Sequence, residues 1–389
     1  LLYEHLGVRN LDDLERAARE GRIRTVPGLG PKVEEKILRG LAEARKTEKR
    51  VLLGYALPLA EGIRDKLRES GLFKGVEIAG SLRRGKETIG DIDILGISDR
   101  PHDAADAFAS LPDVEEVLAK GPKKTSVRLA DGVQVDLRIV PAESFGAALQ
   151  YFTGSQAHNI RLRERAVSLG FKLNEYGVFK GEERVAGRTE EEVYKALGLP
   201  WIPPELREDR GEIQAAEEGK LPKLVEPEQI LGDLHVHTDW SDGKGSLEEM
   251  AKAAMELGYR YIAIVDHFRF AQAIPGLGPE ELARQMEAIQ ELNRKLKGFR
   301  LLSGIEANIL PDGTIDVPRE LLRELEVVVA AIHTHMRMPK KEMTKRLLSA
   351  IENEDVDIIA HPSGRLIGER SAYDVDWDCL LYTSPSPRD

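Results

Sequence analysis

The stretch "GSLRRGKETIGDIDILG" (80–96) joins a Gly-Ser turn and two arginines to an apolar run that carries two aspartates one residue apart. Side chains alternate along a strand, so Asp91 and Asp93 face the same side. Two unpaired carboxylates in an apolar strand repel each other and are costly to bury. A divalent cation removes that cost, because Mg²⁺ takes oxygen ligands from carboxylates and substrate phosphates. The stretch therefore predicts a metal site, the alternative being a surface strand whose aspartates face water.

Two further features favour the metal site. "VQVDLRIV" (133–140) supplies a third carboxylate, Asp136, on another strand that could lie alongside. Ser81 and Arg83/Arg84 stand at a predicted helix start, where backbone N–H groups and cations suit a polyphosphate. The three aspartates would then hold metals that bridge a nucleoside triphosphate and an attacking hydroxyl.

The bulk composition sets the limits of the interpretation. The 389 residues suffice for two or three domains, and the net charge of −11 argues against a surface devoted as a whole to nucleic acid, although it allows a local basic patch. No run approaches the ~20 apolar residues of a membrane helix, so no membrane partner is expected. The single cysteine, Cys379, excludes an internal disulfide and fits a reducing cytoplasm, so a cytoplasmic location is expected.

The two ends of the chain are unusual. The chain starts at Leu1 rather than at Met, and its last eleven residues, "CLLYTSPSPRD" (379–389), resemble the in-frame translation of a transposon-based sequencing adapter. We therefore expect a fragment truncated at both ends, whose biological part stops at Asp378.

The second half of the chain predicts a different metal site. After a Pro- and Glu-rich stretch, strands and helices alternate and the strands are nearly all apolar, which is typical of a parallel sheet or barrel covered by helices. Six of the nine histidines lie between residues 235 and 361, mostly at predicted strand ends, and the carboxyl ends of barrel strands converge. Imidazole with carboxylate suits Zn, Mn or Fe better than Mg. The predicted ligands are His235, His237, Asp242, His267, Glu306, His333 and His361. The remaining histidines are assigned outside the site: His335 beside it, and His5, His102 and His158 as ordinary surface or core residues.

Three motifs, "GSLRRGKETIGDIDIL", "VDLRIV" and "YFTGSQAHNIRLR" (151–163), occur in the order found in the family X DNA polymerases, the group that includes DNA polymerase beta. Residues 1–200 resemble this family. The resemblance implies that Asp91 and Asp93 bind both catalytic metals, Mg²⁺ or Mn²⁺, and that Asp136 binds one and helps to activate the primer 3′-hydroxyl. The implied nucleotide-binding residues are Ser81, Arg84, Arg50, Tyr151, Phe152, Gly154, Asn159 and Arg163.

Within that set the resemblance implies different roles. Ser81 and Arg84 would hold triphosphate oxygens, and Arg50 is a weaker phosphate candidate. The aromatic pair of "YFTGS" would pack against the incoming sugar, although from the residues alone it could equally be an ordinary core pair. Asn159 and Arg163 would touch the new base pair from the minor groove.

"VPGLGPKVEEKI" (26–37) resembles a helix-hairpin-helix, in which Gly28, Gly30 and Lys32 would hold DNA phosphates without recognising sequence. By itself, G-x-G before a helix is usually just a turn. The amino-terminal domain that some family members use for lyase chemistry has no match here, so no lyase activity is assigned.

Residues 232–378 resemble the polymerase and histidinol phosphatase (PHP) domain, a distorted β/α barrel with a three-metal site. The resemblance implies Mn²⁺ or Zn²⁺ and phosphoester hydrolysis, including 3′–5′ exonuclease activity. The family's last ligands, an Asp-x-His pair, have no match, because "DVDWD" (374–378) is not that pair. We therefore expect an incomplete barrel with little nuclease activity.

The expected fold is multi-domain α/β. Its predicted parts are helix-hairpin-helix fingers (1–48), a nucleotidyltransferase palm with a mixed sheet (49–142), a small α+β thumb (143–202), a linker (203–231), an incomplete PHP barrel (232–378) and the adapter-derived tail (379–389). The predicted function is template-directed, gap-filling DNA repair synthesis on gapped or primer-template DNA from dNTPs, with a PHP exonuclease. The alternatives are a PHP hydrolase with a DNA-binding scaffold in front, a non-templated nucleotidyltransferase, and a non-enzymatic DNA-end binding module.

Overall fold

The computed structural model describes residues 2–6, 8, 11–38, 50–269 and 275–383. The chain divides into two compact units, Leu1–Pro222 and Lys223–Asp389. Parts of four predicted segments lie outside the described residues: 1, 7, 9, 10 and 39–48 of the fingers, residue 49 of the palm, 270–274 of the PHP barrel and 384–389 of the tail. Among the described helices, none combines the length and apolar character needed to cross a bilayer.

A small helical cluster opens the first unit. Its elements are α1 (Leu2–Leu6), α2 (Leu11–Arg19), a 3₁₀ turn (Ile23–Thr25) and α3, described over 31–38. Ala17, Ala18 and Ile23 are buried between them. The backbone N–H and the guanidinium of Arg24 donate to the buried carboxylate of Glu34, which ties the turn to α3. The cluster therefore has its own small core.

A mixed five-stranded sheet forms the centre of the first unit. The elements here are β1 (Val51–Leu52), α4 (Leu53–Glu69), β2 (Gly75–Ile78), α5 (Gly80–Arg83), β3 (Thr88–Ile89), β4 (Asp91–Ile97), α6 (Pro101–Ala109), β5 (Val114–Ala119), β6 (Lys124–Leu129) and β7 (Gln134–Ile139). The strand order is β2-β4-β7-β6-β5, and only the β4–β7 pair is parallel. β1 and β3 form a separate two-stranded pair.

The two faces of this sheet differ in chemistry. On β4, Ile92 and Ile94 point into a core with α4 and α6, while Asp91 and Asp93 occupy the opposite face. Burial of the apolar face fixes which way the strand lies, because a slip of one residue would put both aspartates into the core. The acidic face is thereby left for chemistry.

A second core follows in the same unit. Its elements are a 3₁₀ turn (Ala142–Ser144), α7 (Phe145–Thr153), α8 (Gln156–Ser168), β8 (Lys172–Asn174), β9 (Gly177–Lys180), β10 (Glu183–Ala186), α9 (Glu190–Ala196), a 3₁₀ turn (Pro204–Leu206) and α10 (Glu212–Glu217). The three strands form an antiparallel sheet in the order β10-β9-β8. Leu162, Val178 and Tyr194 are buried in this core.

Residues 203–217, assigned to a linker from their Pro and Glu content, pack into this second core instead. Arg207 and Ala216 are buried, and Glu212 Oε1 accepts a hydrogen bond from Nδ1 of buried His158 at 2.6 Å. The acidic residues of this segment are held by hydrogen-bond donors distant in sequence, such as His158 for Glu212 and Arg84 for Glu208, and local composition does not reveal those donors. Beyond Pro222 the second unit begins.

The second unit is built on a parallel sheet. Its elements are a 3₁₀ turn (Pro227–Gln229), β11 (Gly232–Val236), α11 (Leu247–Glu256), β12 (Tyr261–Ile264), α12 (Pro279–Lys295), β13 (Arg300–Asn308), α13 (Arg319–Leu322), β14 (Val327–Ala331), α14 (Lys340–Ile351), β15 (Ile358–Ile359) and α15 (Trp377–Thr383). The strands pair in chain order from β11 to β15, all parallel. Sequential parallel pairing with intervening helices gives a curled, half-barrel sheet.

The curled sheet separates two kinds of core. Small residues such as Ala263, Val265 and Ala331 cover one face, while α11 and α12 pack on the other. The predicted tail enters this unit, since residues 379–383 belong to α15 and Leu380 is buried against α14. The carboxyl ends of the five strands meet at one edge.

Candidate active sites

The three aspartates of the first unit lie together. Asp93 on β4 stands opposite Asp136 on β7 in the parallel register, and Asp91 stands opposite Gln134. One carboxylate oxygen of each aspartate lies within 4.8 Å of the others. Asp136 is buried, Asp93 half-buried and Asp91 exposed, so the cluster reaches from the sheet to the surface. The donor set is three carboxylates and matches hard divalent cations.

Gly80 brings the backbone against Asp93. Its φ is +66°, and a Cβ at this position would lie 2.3 Å from Asp93 Oδ2. The Ala79 N–H also donates to the Asp93 carbonyl at 2.8 Å. Burial, together with the neighbouring charges of Asp91 and Asp136, raises the pKa of Asp93 to about 7. The crowding of three carboxylates thus stores repulsion that a cation would relieve.

Asp136 is stabilised as an anion. Burial alone would raise its pKa, but hydrogen bonds from Lys124, Ser126 and Gln134 outweigh that effect and lower it. The Lys124 ammonium lies 2.6 Å from Oδ2 and the Gln134 amide donates to Oδ1 at 3.0 Å. Asp136 is therefore charged and oriented at neutral pH, whereas Asp93 beside it, with a pKa raised to about 7, is only partly ionised.

Two of the three predicted phosphate ligands line one cavity. Ser81 sits on the single turn α5, directly after Gly80. Arg84 follows α5 and lines a cavity of about 400 Å³ together with Arg50 and Lys86. Arg50 donates through Nε to Thr88 Oγ1 at 2.8 Å and remains exposed. Arg50 and Arg84 therefore share one cavity, whereas Ser81 is not among the residues that line it.

The aromatic pair lies at the end of α7. Tyr151 and Phe152 pack edge to face with ring centroids 5.1 Å apart, and both are half-buried. The Arg138 guanidinium lies 4.2 Å from the centroid of Phe152. Gly154 has φ of +72° and its missing Cβ would lie 3.2 Å from an Arg84 nitrogen. The turn after the aromatic pair therefore contacts the predicted triphosphate ligand.

Asn159 and Arg163 differ in availability. The Asn159 amide is buried and accepts from Gln150 Nε2 at 2.7 Å while donating to the Tyr151 carbonyl at 2.7 Å. Arg163 is exposed, and its Nε donates to the Asn159 carbonyl at 3.3 Å. Asn159 thus braces α7, and Arg163 is the member of the pair that presents its side chain to solvent.

The glycine hairpin requires a glycine backbone conformation at one of its two glycines. Gly28 has a φ of +85°, in the region that favours glycine, whereas the φ of Gly30 lies outside that region. No heavy atom lies within 4 Å of an added Cβ at either glycine, and Lys32 is exposed. The turn is open enough for a phosphate backbone to approach its N–H groups.

In the second unit, Glu306 on β13 is the centre of the histidine cluster. Its Oε2 lies 2.9 Å from His267 Nδ1, 3.3 Å from His237 Nε2 and 3.4 Å from His235 Nε2. Its Oε1 lies 3.0 Å from His361 Nε2 and 3.3 Å from His333 Nε2. One buried carboxylate thus contacts histidines from four other strand ends, which sequence spacing could not single out. The contacting histidines are His235, His237, His267, His333 and His361.

Asp242 extends the cluster outward. Its carboxylate lies 2.9 Å from His237 Nδ1 and 3.6 Å from His267 Nε2. Burial lowers the pKa of His237, but Glu306 and Asp242 outweigh it and raise that pKa to about 9. Burial favours neutral Glu306, yet the surrounding imidazoles hold its pKa well below its usual range. The cluster therefore contains two carboxylates, Glu306 at its buried centre and Asp242 at its outer side, and each contacts histidine ring nitrogens.

Three overlapping groups in this cluster have ligand atoms within 4.8 Å of one another. The groups are His235–His237–Glu306, His237–Asp242–His267 and His267–Glu306–His333. His235 and His237 also bring their Nε2 atoms to 3.0 Å, with nearly stacked rings. Nitrogen lone pairs converging on a carboxylate fit bound cations, and imidazole with carboxylate is a transition-metal donor set.

Residues that sequence reasoning missed support these ligands. The Asn308 Oδ1 accepts a hydrogen bond from His333 Nδ1 at 2.6 Å, and the Asn308 amide nitrogen donates to Asp316 Oδ2 at 2.6 Å. Such contacts orient a ligand's ring. Asn308 lies two residues after Glu306 on the same strand face, so period-two spacing was the available signal.

A second missed residue, Asp266, is buried next to His267. It accepts from the Thr238 N–H and hydroxyl at 2.8 and 2.6 Å and from Gln285 Nε2 at 2.6 Å, as well as from Ser241. These bonds hold the loop after β11, which carries Asp242. Asp266 is therefore a positioning residue for the cluster.

Comparisons with known proteins find similarities in both units. Residues 148–208 match the DNA polymerase beta thumb family, and residues 233–371 match the PHP domain family. A DNA polymerase/3′-5′ exonuclease PolX of Bacillus subtilis (strain 168) is 41% identical over 384 residues, covering 98% of this chain and 67% of that protein. A probable phosphatase of Caldanaerobacter subterraneus subsp. tengcongensis is 36% identical over 139 residues, covering 34% of this chain and 52% of that protein.

Among solved structures, Leishmania infantum polymerase beta in a ternary P/T complex aligns with 53% of this chain and 91% of that chain, at 24% identity and a TM-score of 0.41. The similarity to the Bacillus protein extends through both units and both sites. It confirms the resemblance that the aspartate and histidine motifs predict. The chain thus belongs to the family X DNA polymerases that carry a PHP domain.

Proposed function

We propose that this chain is a template-directed DNA polymerase that transfers a nucleotide from a dNTP to a primer 3′-hydroxyl during gap filling. One observation carries the proposal: Asp93 and Asp136 face each other across parallel strands, and a carboxylate oxygen of Asp91 lies within 4.8 Å of theirs. Gly80 lies beside this cluster at a position where a Cβ would be 2.3 Å from Asp93 Oδ2. The relative from Bacillus subtilis is named as a DNA polymerase/3′-5′ exonuclease, which supports this assignment.

In this proposal the three aspartates would hold Mg²⁺ or Mn²⁺. Bound there, the cations would neutralise charge on phosphate oxygens and lower the pKa of the attacking hydroxyl. Asp136, kept anionic by Lys124, orients the primer hydroxyl, while Ser81 and Arg84 position the triphosphate. Because the pKa of Asp93 is raised to about 7, a cation entering the site would displace the proton that Asp93 partly holds at neutral pH.

DNA contacts are assigned to two parts of the first unit, the glycine hairpin near its start and α8. The hairpin at Gly28, Gly30 and Lys32 would bind backbone phosphates of gapped or primer-template DNA, since open N–H groups and a lysine give affinity without sequence recognition. Arg163 would reach the new base pair, and Asn159 would act through α7 by holding the Tyr151 carbonyl.

Primer extension on one-nucleotide-gapped DNA tests the polymerase. With Mg²⁺ or Mn²⁺, the wild type should add one nucleotide and Asp136→Asn should lose at least ~100-fold in rate, because an oriented anionic ligand is removed. Asp99→Asn, an exposed aspartate paired with Lys74, is the matched control and should retain activity. Equal rates in the wild type and Asp136→Asn would exclude the assignment.

The second unit is proposed to belong to a metal-dependent 3′–5′ exonuclease or phosphoesterase with a distorted β/α barrel, whose activity is expected to be low in this chain. The observation that favours it is the buried Glu306 with five histidines around it. Mn²⁺ or Zn²⁺ fits this donor set better than Mg²⁺. Asp242 and His267 would hold a cation at the outer end of the cluster, where that cation would bind the phosphoester.

Release of nucleotides from 3′-labelled single-stranded DNA in Mn²⁺ tests the second activity. His333→Ala removes a contact to Glu306 and should abolish release, whereas His335→Ala removes an exposed histidine two residues away and should not. Loss in both variants, or in neither, would contradict the assignment of the cluster.

A further inference from the structure

The inference concerns Glu208, which lies in the cavity assigned to the triphosphate. Its Oε1 accepts from Arg84 Nε at 2.8 Å and lies 3.6 Å from the Lys86 ammonium. The Arg84 guanidinium is also bound to the Thr153 carbonyl. The cation expected to bind phosphate is thus already paired with a carboxylate of the same cavity.

Glu208 cannot easily move out of this position. The neighbouring Arg207 is fully buried, donates to the Ile202 carbonyl at 2.8 Å and pairs with Glu190 at 2.6 Å. The Arg207 carbonyl in turn accepts from the Ser155 N–H at 3.0 Å. The backbone is therefore anchored at the residue before Glu208, and the Glu208 carboxylate is held close to Arg84.

The cavity contains cations that could bind phosphate, but it also contains carboxylates that would repel it. It measures about 400 Å³ and its cationic lining is Arg50, Arg84, Lys86 and Arg210, against Glu87, Glu205 and Glu208. The Glu208 side chain is only 19% exposed, so its charge is poorly screened. A polyphosphate that binds Arg84 and Lys86 here must therefore compete with the Glu208 carboxylate.

We propose that Glu208 is a positioning residue which holds Arg84 and Lys86 until the β- and γ-phosphates of the nucleotide take its place, and that Lys86 is a phosphate ligand of that site. When no nucleotide is present, Glu208 keeps Arg84 and Lys86 ordered. When a nucleotide binds, the negative charge of Glu208 repels the phosphates and weakens nucleotide binding. This inference rests on the proposed polymerase function for the identity of the ligand.

Calorimetric titration of the whole chain with inorganic tripolyphosphate in metal-free buffer tests the exchange. Glu208→Gln keeps the side-chain shape and should tighten binding about tenfold, because one unit charge near the phosphates is removed. Lys86→Met should weaken binding, and the gain from Glu208→Gln should shrink in the double variant. Glu205→Gln removes a charge from the same cavity and should change affinity less than Glu208→Gln.

A purely structural role for Glu208 gives a different pattern. In that case Glu208→Gln would lower the thermal midpoint and leave tripolyphosphate affinity equal or weaker, which overturns the proposal. In steady-state extension, the exchange predicts a lower KM for dNTP with kcat unchanged. If no variant extends primers, the polymerase function fails while the tripolyphosphate titration still decides the exchange. If Glu208→Gln does not fold, unchanged binding in Lys86→Met refutes the proposal by itself.

Discussion

Asp93→Asn should stabilise the metal-free protein at alkaline pH. The Asp93 carboxyl is packed against Gly80 and two other carboxylates, and its pKa is raised to about 7. In the unfolded chain an aspartate titrates at ~3.9. The folded state therefore holds its proton more tightly, so the penalty for ionising Asp93 is absent below pH ~4 and complete above pH ~7. An amide of the same shape removes the penalty.

The size of the effect follows from the shift. About three pKa units correspond to a ceiling of ~4 kcal/mol at pH 8. Because Asp91 shares the repulsion and Asp93 is half-buried rather than enclosed, roughly 2–4 kcal/mol is expected. For a unit of this size that is a rise of roughly 5–10 °C in the midpoint of its thermal transition. The gain should fall to roughly a third of its pH 8 value at pH 5 and towards zero at pH 4.

Scanning calorimetry in EDTA from pH 5 to pH 8 measures this directly. Asp99→Asn, an exposed aspartate beside Lys74, is the control and should change stability by less than ~1 kcal/mol. Added Mg²⁺ should reverse the order, because the wild type gains a bound cation that Asp93→Asn holds poorly. A variant no more stable than the wild type at pH 8, or equally stabilised at pH 5, would refute the reasoning.

Two further substitutions probe the supports of the two sites. Gly80→Ala adds a Cβ 2.3 Å from Asp93 Oδ2 at a φ of +66°, so the rate of nucleotide incorporation should drop at least ~10-fold in single-turnover extension. Gly85 has the same φ, but no atom lies within 4 Å of an added Cβ, so a similar loss in Gly85→Ala would mean that backbone strain alone is responsible. Asn308→Ala releases the ring of His333, so Mn²⁺ affinity measured by calorimetry should fall ~10–100-fold; unchanged affinity would show that the ring needs no such support.

Local periodicity was enough to place Asp91 and Asp93 on one face, because strand alternation depends only on neighbouring residues. The pairing of Asp93 with Asp136 depends on register between strands some forty residues apart, which no local pattern encodes. The geometry that crowds the carboxylates, and hence the raised pKa of Asp93, therefore became visible only in the folded chain.

The histidine cluster shows the same division. Strand ends were identifiable from apolar runs, so all seven ligand candidates were named in advance. That Glu306 contacts five histidines could not be foreseen, since it reflects where four neighbouring strands end in space. Buried polar residues such as Asp266 look like any loop aspartate in sequence, because their partners come from distant elements.

The composition of residues 203–217 predicted a linker because acidic residues and prolines usually mark solvated segments. Their partners, Arg84 for Glu208 and His158 for Glu212, lie 124 and 54 residues away. Charge density alone cannot reveal whether such partners exist.

Template-dependent incorporation tests the central claim most directly. Single-turnover extension with each of the four dNTPs opposite each template base should give the complementary nucleotide in the wild type and in His237→Ala, and no product in Asp91→Asn. Three results would contradict a polymerase centred on Asp91, Asp93 and Asp136. They are extension that survives in Asp91→Asn, extension that is lost only in His237→Ala, and incorporation that does not depend on the template base.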